Sequence, residues 1–369
     1  MRVTIIFSLM LIAFHANAAD QALVIHEWGT ITTAHKASGD TKGYLNKIEP
    51  WEVLPDFVHR YEPPVSEATQ GRFAKTPVGQ GHPDVTMRLE TPVLYFYPSD
   101  HFNFKKNFTV EAKLRGGIIN EYYPKALASQ RLDTAHINVK TARGTNIWDG
   151  RNLNNYLVGS LQWSDLKLSM TGRPPKTKDN VWLAPRKVDA AYVKQEKETE
   201  RYLFYRGVAH LEAPLRTKHD KKAGEIQFFS PTNFYRYGEK ELVIPYLWLL
   251  KVKPDGSALF KKVGQVTIDS QVDKMITKTF LNTNQNEFKK KNLAELRRLM
   301  HAALVAQGLY DKEADAMLTT WDHAYFRKPG TRALYIVPKK WVDHHIPLSI
   351  SIPNELTRVF VGRIDLDGI

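Results

Sequence analysis

Apolar and polar positions follow a short period along most of this chain, and that period predicts strands. Leu23 to Thr33 carries β-branched residues at Val24, Ile25, Thr30, Ile31, Thr32 and Thr33, which predicts a strand. Leu23, Ile25 and Glu27 share one face of it, and Val24, His26 and Trp28 the other. Both faces are largely apolar, so the strand is expected to be central. Further strands are predicted at 91–98, 107–114, 118–123, 159–168, 202–211, 242–252, 257–262, 332–337, 348–352 and 357–366. The first and last strands are expected to meet and close the domain.

The helical period comes late. Leu293, Leu296, Met300, Ala303 and Leu304 form one apolar stripe, and Ala314, Met317, Leu318, Trp321 and Tyr325 a second. Asn292 with Glu295 has capping-box spacing, Gly308 suits a C′ stop, and Asp311 suits the next cap. A helical hairpin over about 292–326 follows. Prolines 50, 55, 63, 64, 77 and 83 keep 34–88 irregular. The charge-rich stretches 176–200 and 216–222 read as exposed. The fold class expected is β-rich α+β: an antiparallel sheet or sandwich core with one C-terminal helical hairpin.

The N-terminus changes the picture of compartment. Arg2, the apolar run Val3 to Phe14 and Ala16-Asn17-Ala18 have the pattern of a signal peptide over residues 1–18. Residues 19–369 then form one large β-rich domain, with room for two lobes, that is periplasmic or secreted. The longest later apolar run, Leu242 to Leu250, is about half the ~20 residues a span requires. The chain has no cysteine. An exported protein of this kind is held by its core alone, and thiol catalysis and thiolate metal sites are excluded.

The formal charge is +13, of which the signal contributes only Arg2. This balance favours anionic glycan or lipid head groups as partners. Export argues against nucleic acid, and no transmembrane span is expected.

Familiar catalytic signatures are absent: no His-Glu-x-x-His, no Gly-x-Ser-x-Gly and no phosphate-binding glycine loop. The candidates are polar residues inside apolar strands. His26, Glu27, Glu90 and Glu121 are the catalytic candidates, because two carboxylates of different protonation can hydrolyse a glycoside. Arg206 and Arg332 are candidates for substrate binding, with Trp148 and Trp182 as sugar-stacking platforms. The alternative for the same residues is a set of ion pairs that fix strand register. Arg206 is the expected partner of Glu27, and Arg332 the second choice. His210 with Glu212, Asp343 with His345, and Asp322-His323 are weaker pairs. No metal site is assigned, and the sequence leaves any cofactor open.

Several blocks resemble a family of uncharacterised exported bacterial proteins that open with His-Glu-Trp-Gly-Thr. They are His26 to Thr30, Glu90 to Tyr97, Glu121 to Pro124, Leu203 to Gly207, Arg332 to Pro338 and Arg358 to Arg363. Tyr122 stands where the family has tryptophan. The resemblance implies compartment and overall fold and carries no activity. Two functions follow as expectations. One is a carboxylate-based or metal-assisted hydrolase acting on envelope glycan or ester. The other is a non-catalytic envelope protein that binds an anionic glycan or lipid through a basic surface.

Overall fold

The computed structural model describes residues 23–46, 49, 52–61, 84–133, 153, 156–220, 222–232, 241–269, 271, 273–280 and 284–366. The predicted signal and Trp148 lie outside them.

The strands in chain order begin with β1 (Leu23–Ala34), β2 (His59–Arg60), β3 (Met87–Pro98) and β4 (Phe108–Arg115). Then come β5 (Gly117–Tyr123), β6 (Leu127–Leu132), β7 (Leu157–Ser169) and a short helix α1 (Asn180–Leu183). β8 (Tyr192–Gln195), β9 (Glu198–Glu200), β10 (Leu203–Ala209), β11 (Arg216–Asp220) and β12 (Glu225–Phe229) follow. β13 (Glu241–Val252), β14 (Ala258–Asp269) and β15 (Met275–Phe280) precede the helices α2 (Lys291–Ala306) and α3 (Asp311–Thr320). A π turn at His323–Arg327, β16 (Gly330–Ile336), α4 (Lys339–His345), β17 (Leu348–Ile350) and β18 (Asn354–Asp365) complete the chain.

The main sheet runs β14-β13-β16-β18-β1-β3-β10-β5-β7-β4-β17, with the shorter β2, β6, β8 and β9 attached. A second sheet joins β11, β12 and β15. The fold is therefore β-rich α+β, as the periodicity predicts. Its pairing is mixed rather than purely antiparallel. β1 and β18 do meet, and they run parallel, with Glu27 directly opposite Arg358.

β1 is central and buried on both faces. One face shares a core with β4, β7 and β13, including Ile25, Phe96, Trp163 and Leu249. The other face, with Trp28, Val93 and Phe204, packs under the hairpin through Leu296, Met300, Met317 and Leu318. Both predicted stripes are thus core. Gly308 ends α2 at φ 104°, where glycine bears no Cβ penalty.

Three local expectations are corrected. The Asn292 capping box does not form: α2 starts at Lys291, and Asn292 Nδ2 donates to the carbonyls of Ala258 and Glu287. The stretch 176–200 is not an exposed charged face. It buries Trp182, Ala190, Val193 and Glu200, because Glu200 neutralises Arg186 and accepts the indole N–H of Trp182 at 2.8 Å. The stretch 216–222 contributes the strand β11 to the second sheet.

One irregularity positions charge. Between Trp28 and Thr30 the β1–β3 register slips, and Thr91 takes φ 40° beside Pro92. The bulge breaks the alternation of β3, so that Glu90 lies opposite Thr30 on the hairpin side.

Candidate functional site

Glu27, Glu90 and Glu121 are all buried, and each meets an arginine. Glu27 accepts from Arg358 Nε at 2.6 Å and from the Tyr205 hydroxyl at 2.5 Å. Burial disfavours the Arg358 charge, but Glu27, Tyr205 and Asp343 together outweigh it and the guanidinium is held above its ordinary range. Burial, then Glu27, pushes the Tyr205 phenol up, so it stays protonated and donates. Arg358 Nη1 reaches on to Asp343 at 3.1 Å. The expected partner of Glu27, Arg206, lies on the other face of the sheet, and so does Arg332. Sequence order leads one to expect the first and last strands to meet, but it does not reveal that they pair in parallel with Arg358 opposite Glu27.

Glu90 and Glu121 belong to one buried chain on the hairpin side. Glu90 pairs with Arg88 at 2.7 Å. Both Nη atoms of Arg88 donate to the Glu52 carboxylate at 3.2 Å. The Glu52 carbonyl accepts from Arg206 Nη1 at 3.0 Å, and Arg206 Nε pairs with Glu121. Taking two charges out of water costs several kcal/mol each unless geometry and hydrogen bonds offset it. Here the carboxylates and guanidiniums alternate along the chain, which supplies that offset.

Arg332 does different work. Its Nη1 donates to the carbonyls of Ala324 at 2.7 Å and Tyr325 at 3.1 Å, and its Nη2 donates to that of Lys328. These are carbonyls at the end of the hairpin, and a cation there is favoured by the helix dipole. Arg206 and Arg332 are each 2 % exposed. Neither presents its guanidinium to a substrate.

Trp182 is 1 % exposed and packs edge-on against Phe57, Tyr123 and Phe204. The expected sugar platform is therefore a core residue. Trp148 lies outside the described residues.

His26 stands apart, on the hairpin side of β1. Its Nδ1 donates to Glu313 Oε2 at 2.7 Å. The same carboxylate accepts from the Tyr310 backbone N–H at 2.7 Å and the Tyr97 hydroxyl at 2.8 Å. Burial, then Glu313, pushes the Tyr97 phenol up. Glu313 is wholly buried. Sequence reasoning missed it, although a glutamate at the third position of a helix is a recognisable cap.

The weaker pairs are occupied by protein. His210 Nδ1 faces the Asp84 carbonyl at 2.9 Å, and Glu212 holds Thr232 and Arg216. Asp322 pairs with Arg327. Asp343 and His345 lie on α4 rather than on a strand, with Asp343 paired to Arg358 and His345 packed on Trp341.

Unmatched charge gathers around the β13–β14 turn. Lys289 bridges to Ala258, Lys253 lies over the Phe288 ring at 4.0 Å, and Lys253 and Lys290 both act on Asp255. Lys251, next to the turn on β13, and Lys291, which opens α2 after Lys290, are exposed. The acids within this group are Asp255 and Glu287, the latter 4.0 Å from Lys261. The turn therefore carries a net positive surface at the edge of the main sheet. No helix of the described residues is long and apolar enough to cross a membrane.

No protein-family model matches the chain, and no curated protein matches it. Among solved structures, the yeast delta-COP-I mu-homology domain complexed with a Dsl1 WxWxV peptide is similar at a TM-score of 0.27 and 8% identity, covering 94% of this chain and 96% of that one. A likeness at that score carries no argument about this chain.

Proposed function

We propose that the chain is an exported envelope protein that binds an anionic glycan or lipid head group through its basic surface. In this reading the buried carboxylates hold the fold. The observation that carries it is that Glu27, Glu90 and Glu121 are each buried against an arginine. A glycosidase needs two carboxylates flanking one bond, about 5–10 Å apart. Glu27 faces the opposite side of the sheet from Glu90 and Glu121, and each is committed to a cation. The lysines around Lys253 and Lys290 are exposed or half-buried and suit phosphate or carboxylate groups.

The test is binding of residues 19–369 to phosphatidylglycerol vesicles, phosphatidylcholine vesicles and heparin. Salt-sensitive binding to one or both anionic probes is expected, with little to phosphatidylcholine. Each lysine near an anionic surface contributes about 1 kcal/mol. Reversing two of them in Lys289→Glu/Lys290→Glu should therefore weaken binding by at least about tenfold. Unchanged binding by that variant, or no binding to either anionic probe, contradicts the reading.

The second reading is the carboxylate-based or metal-assisted hydrolase of envelope glycan or ester. The His26–Glu313 pair favours it, since a carboxylate on Nδ1 fixes the tautomer that leaves Nε2 as a base. Hydrolysis in a screen of envelope glycans and esters that disappears in His26→Asn, with the fold intact, selects this reading.

A further inference from the structure

The hairpin carries a cluster that neither functional reading uses. Asp311 and Asp315 lie four residues apart on α3, so their carboxylates share one face of the helix. His301 reaches them from α2. Its Nε2 lies 3.4 Å from Asp311 Oδ1 and 3.9 Å from Asp315 Oδ1. One ligand atom from each residue falls within 4.8 Å of the others. Donor atoms bound to one tetrahedral zinc at 2.0–2.2 Å stand about 3.3–3.6 Å apart. The three side chains therefore need only small rotations to reach that spacing, in which His301 Nε2 gives up its 3.3 Å contact with the Asp311 carbonyl.

We propose that His301, Asp311 and Asp315 form a site for a divalent transition-metal ion of the zinc type, which clasps α2 to α3. Two carboxylates and a neutral imidazole balance the charge of such an ion. An imidazole ligand suits zinc, nickel or copper, whereas magnesium and calcium require oxygen ligands. With three protein ligands, one position stays open to water.

The competing cation is Arg297, whose Nη2 lies 3.7 Å from Asp315 Oδ1. It also donates to Thr319 Oγ1 at 3.0 Å and stands 4.0 Å from Asp322, so it keeps partners when Asp315 turns to a metal. The His301 side chain is one-quarter exposed. Its replacement leaves the core stripe of α2 untouched.

The experiment is calorimetric titration of the chelator-treated, purified chain with zinc chloride, and separately with magnesium chloride. Thermal unfolding is followed in each. Saturable one-to-one zinc binding is expected, with a rise in melting temperature that magnesium does not produce. His301→Ala and Asp315→Asn should each weaken zinc binding by about tenfold or more, because losing a ligand costs at least as much as losing a supporting hydrogen bond. No zinc binding by the wild-type chain, equal binding by wild type and His301→Ala, or an equal response to magnesium overturns the proposal.

Discussion

The imidazole of His26 on the first strand donates to the carboxylate of Glu313 on the second hairpin helix, 287 positions away, at 2.7 Å. That one carboxylate also holds Tyr97 of β3 and the backbone at the start of α3. It is therefore the polar bolt between hairpin and sheet, set beside the apolar packing of Leu296 and Met317.

Glu313→Ala leaves the buried His26 ring N–H, the half-buried Tyr97 hydroxyl and the Tyr310 backbone N–H without their acceptor. Leaving a buried donor unsatisfied costs about 1–3 kcal/mol, so a fall of about 2 kcal/mol or more in urea unfolding is expected. Amide exchange across 311–320 should accelerate with it. Glu313→Gln retains an acceptor oxygen and should lose less. A Glu313→Ala variant of wild-type stability means that the apolar stripes alone dock the hairpin.

Acid sensitivity should trace in part to His35. Its Nδ1 accepts the Thr217 backbone N–H at 3.1 Å. Burial, then the neighbouring Arg216, lowers its pKa from 6.5 to about 3. The unfolded chain thus binds a proton that the folded chain refuses between those values. The stability this neutral ring permits is fully present above about pH 6.5 and is lost as pH falls toward 3. The loss is about 1.4 kcal/mol per unit inside that window. Urea unfolding from pH 7 to pH 4.5 should show a steeper decline in wild type than in His35→Gln. Parallel curves would remove His35 as the cause.

Gly207 sits in β10 where the register slips against both β3 and β5. A Cβ there would lie 2.2 Å from the Ile118 carbonyl oxygen. Backbone cannot swing aside as a side-chain tip can, so Gly207→Ala should cost at least about 1–3 kcal/mol. Gly256→Ala is a useful contrast. Nothing lies within 4 Å there, and only the positive φ of 78° opposes the change. A smaller loss in Gly207→Ala than in Gly256→Ala would contradict the packing described for β10.

Much of the architecture was legible because it rests on local period. The strand 23–34, the Gly308 stop and the stripes through Leu296 and Met317 are patterns within a few residues of one another. Short strands such as β11 and β12 were not legible: they form a tight hairpin of mostly polar residues, and the strand that completes their sheet, β15, comes from beyond β13 and β14. The site was legible only as a set of misplaced charges. Glu27, Glu90, Glu121, Arg206 and Arg332 are all buried, as charges inside apolar strands suggest. Their partners could not be read. Arg358 reaches Glu27 through parallel pairing of the chain ends, and Glu52 comes from a proline-rich stretch without period. Trp182 lies in a charged stretch whose charges are neutralised from within, so local polarity misreported its exposure.

The most direct test of the structural role of the carboxylates is a double-mutant cycle on Glu27 and Arg358, measured by urea unfolding. Glu27→Gln and Arg358→Met should each cost about 3–5 kcal/mol, since each leaves a buried partner exposed to desolvation without its counter-charge. The double variant should lose well under the sum of the two, giving a coupling of about 2 kcal/mol or more. Anion binding per folded molecule should be unchanged throughout. A Glu27→Gln variant as stable as wild type, with additive single losses and activity or binding abolished, would contradict the account and return Glu27 to the chemistry.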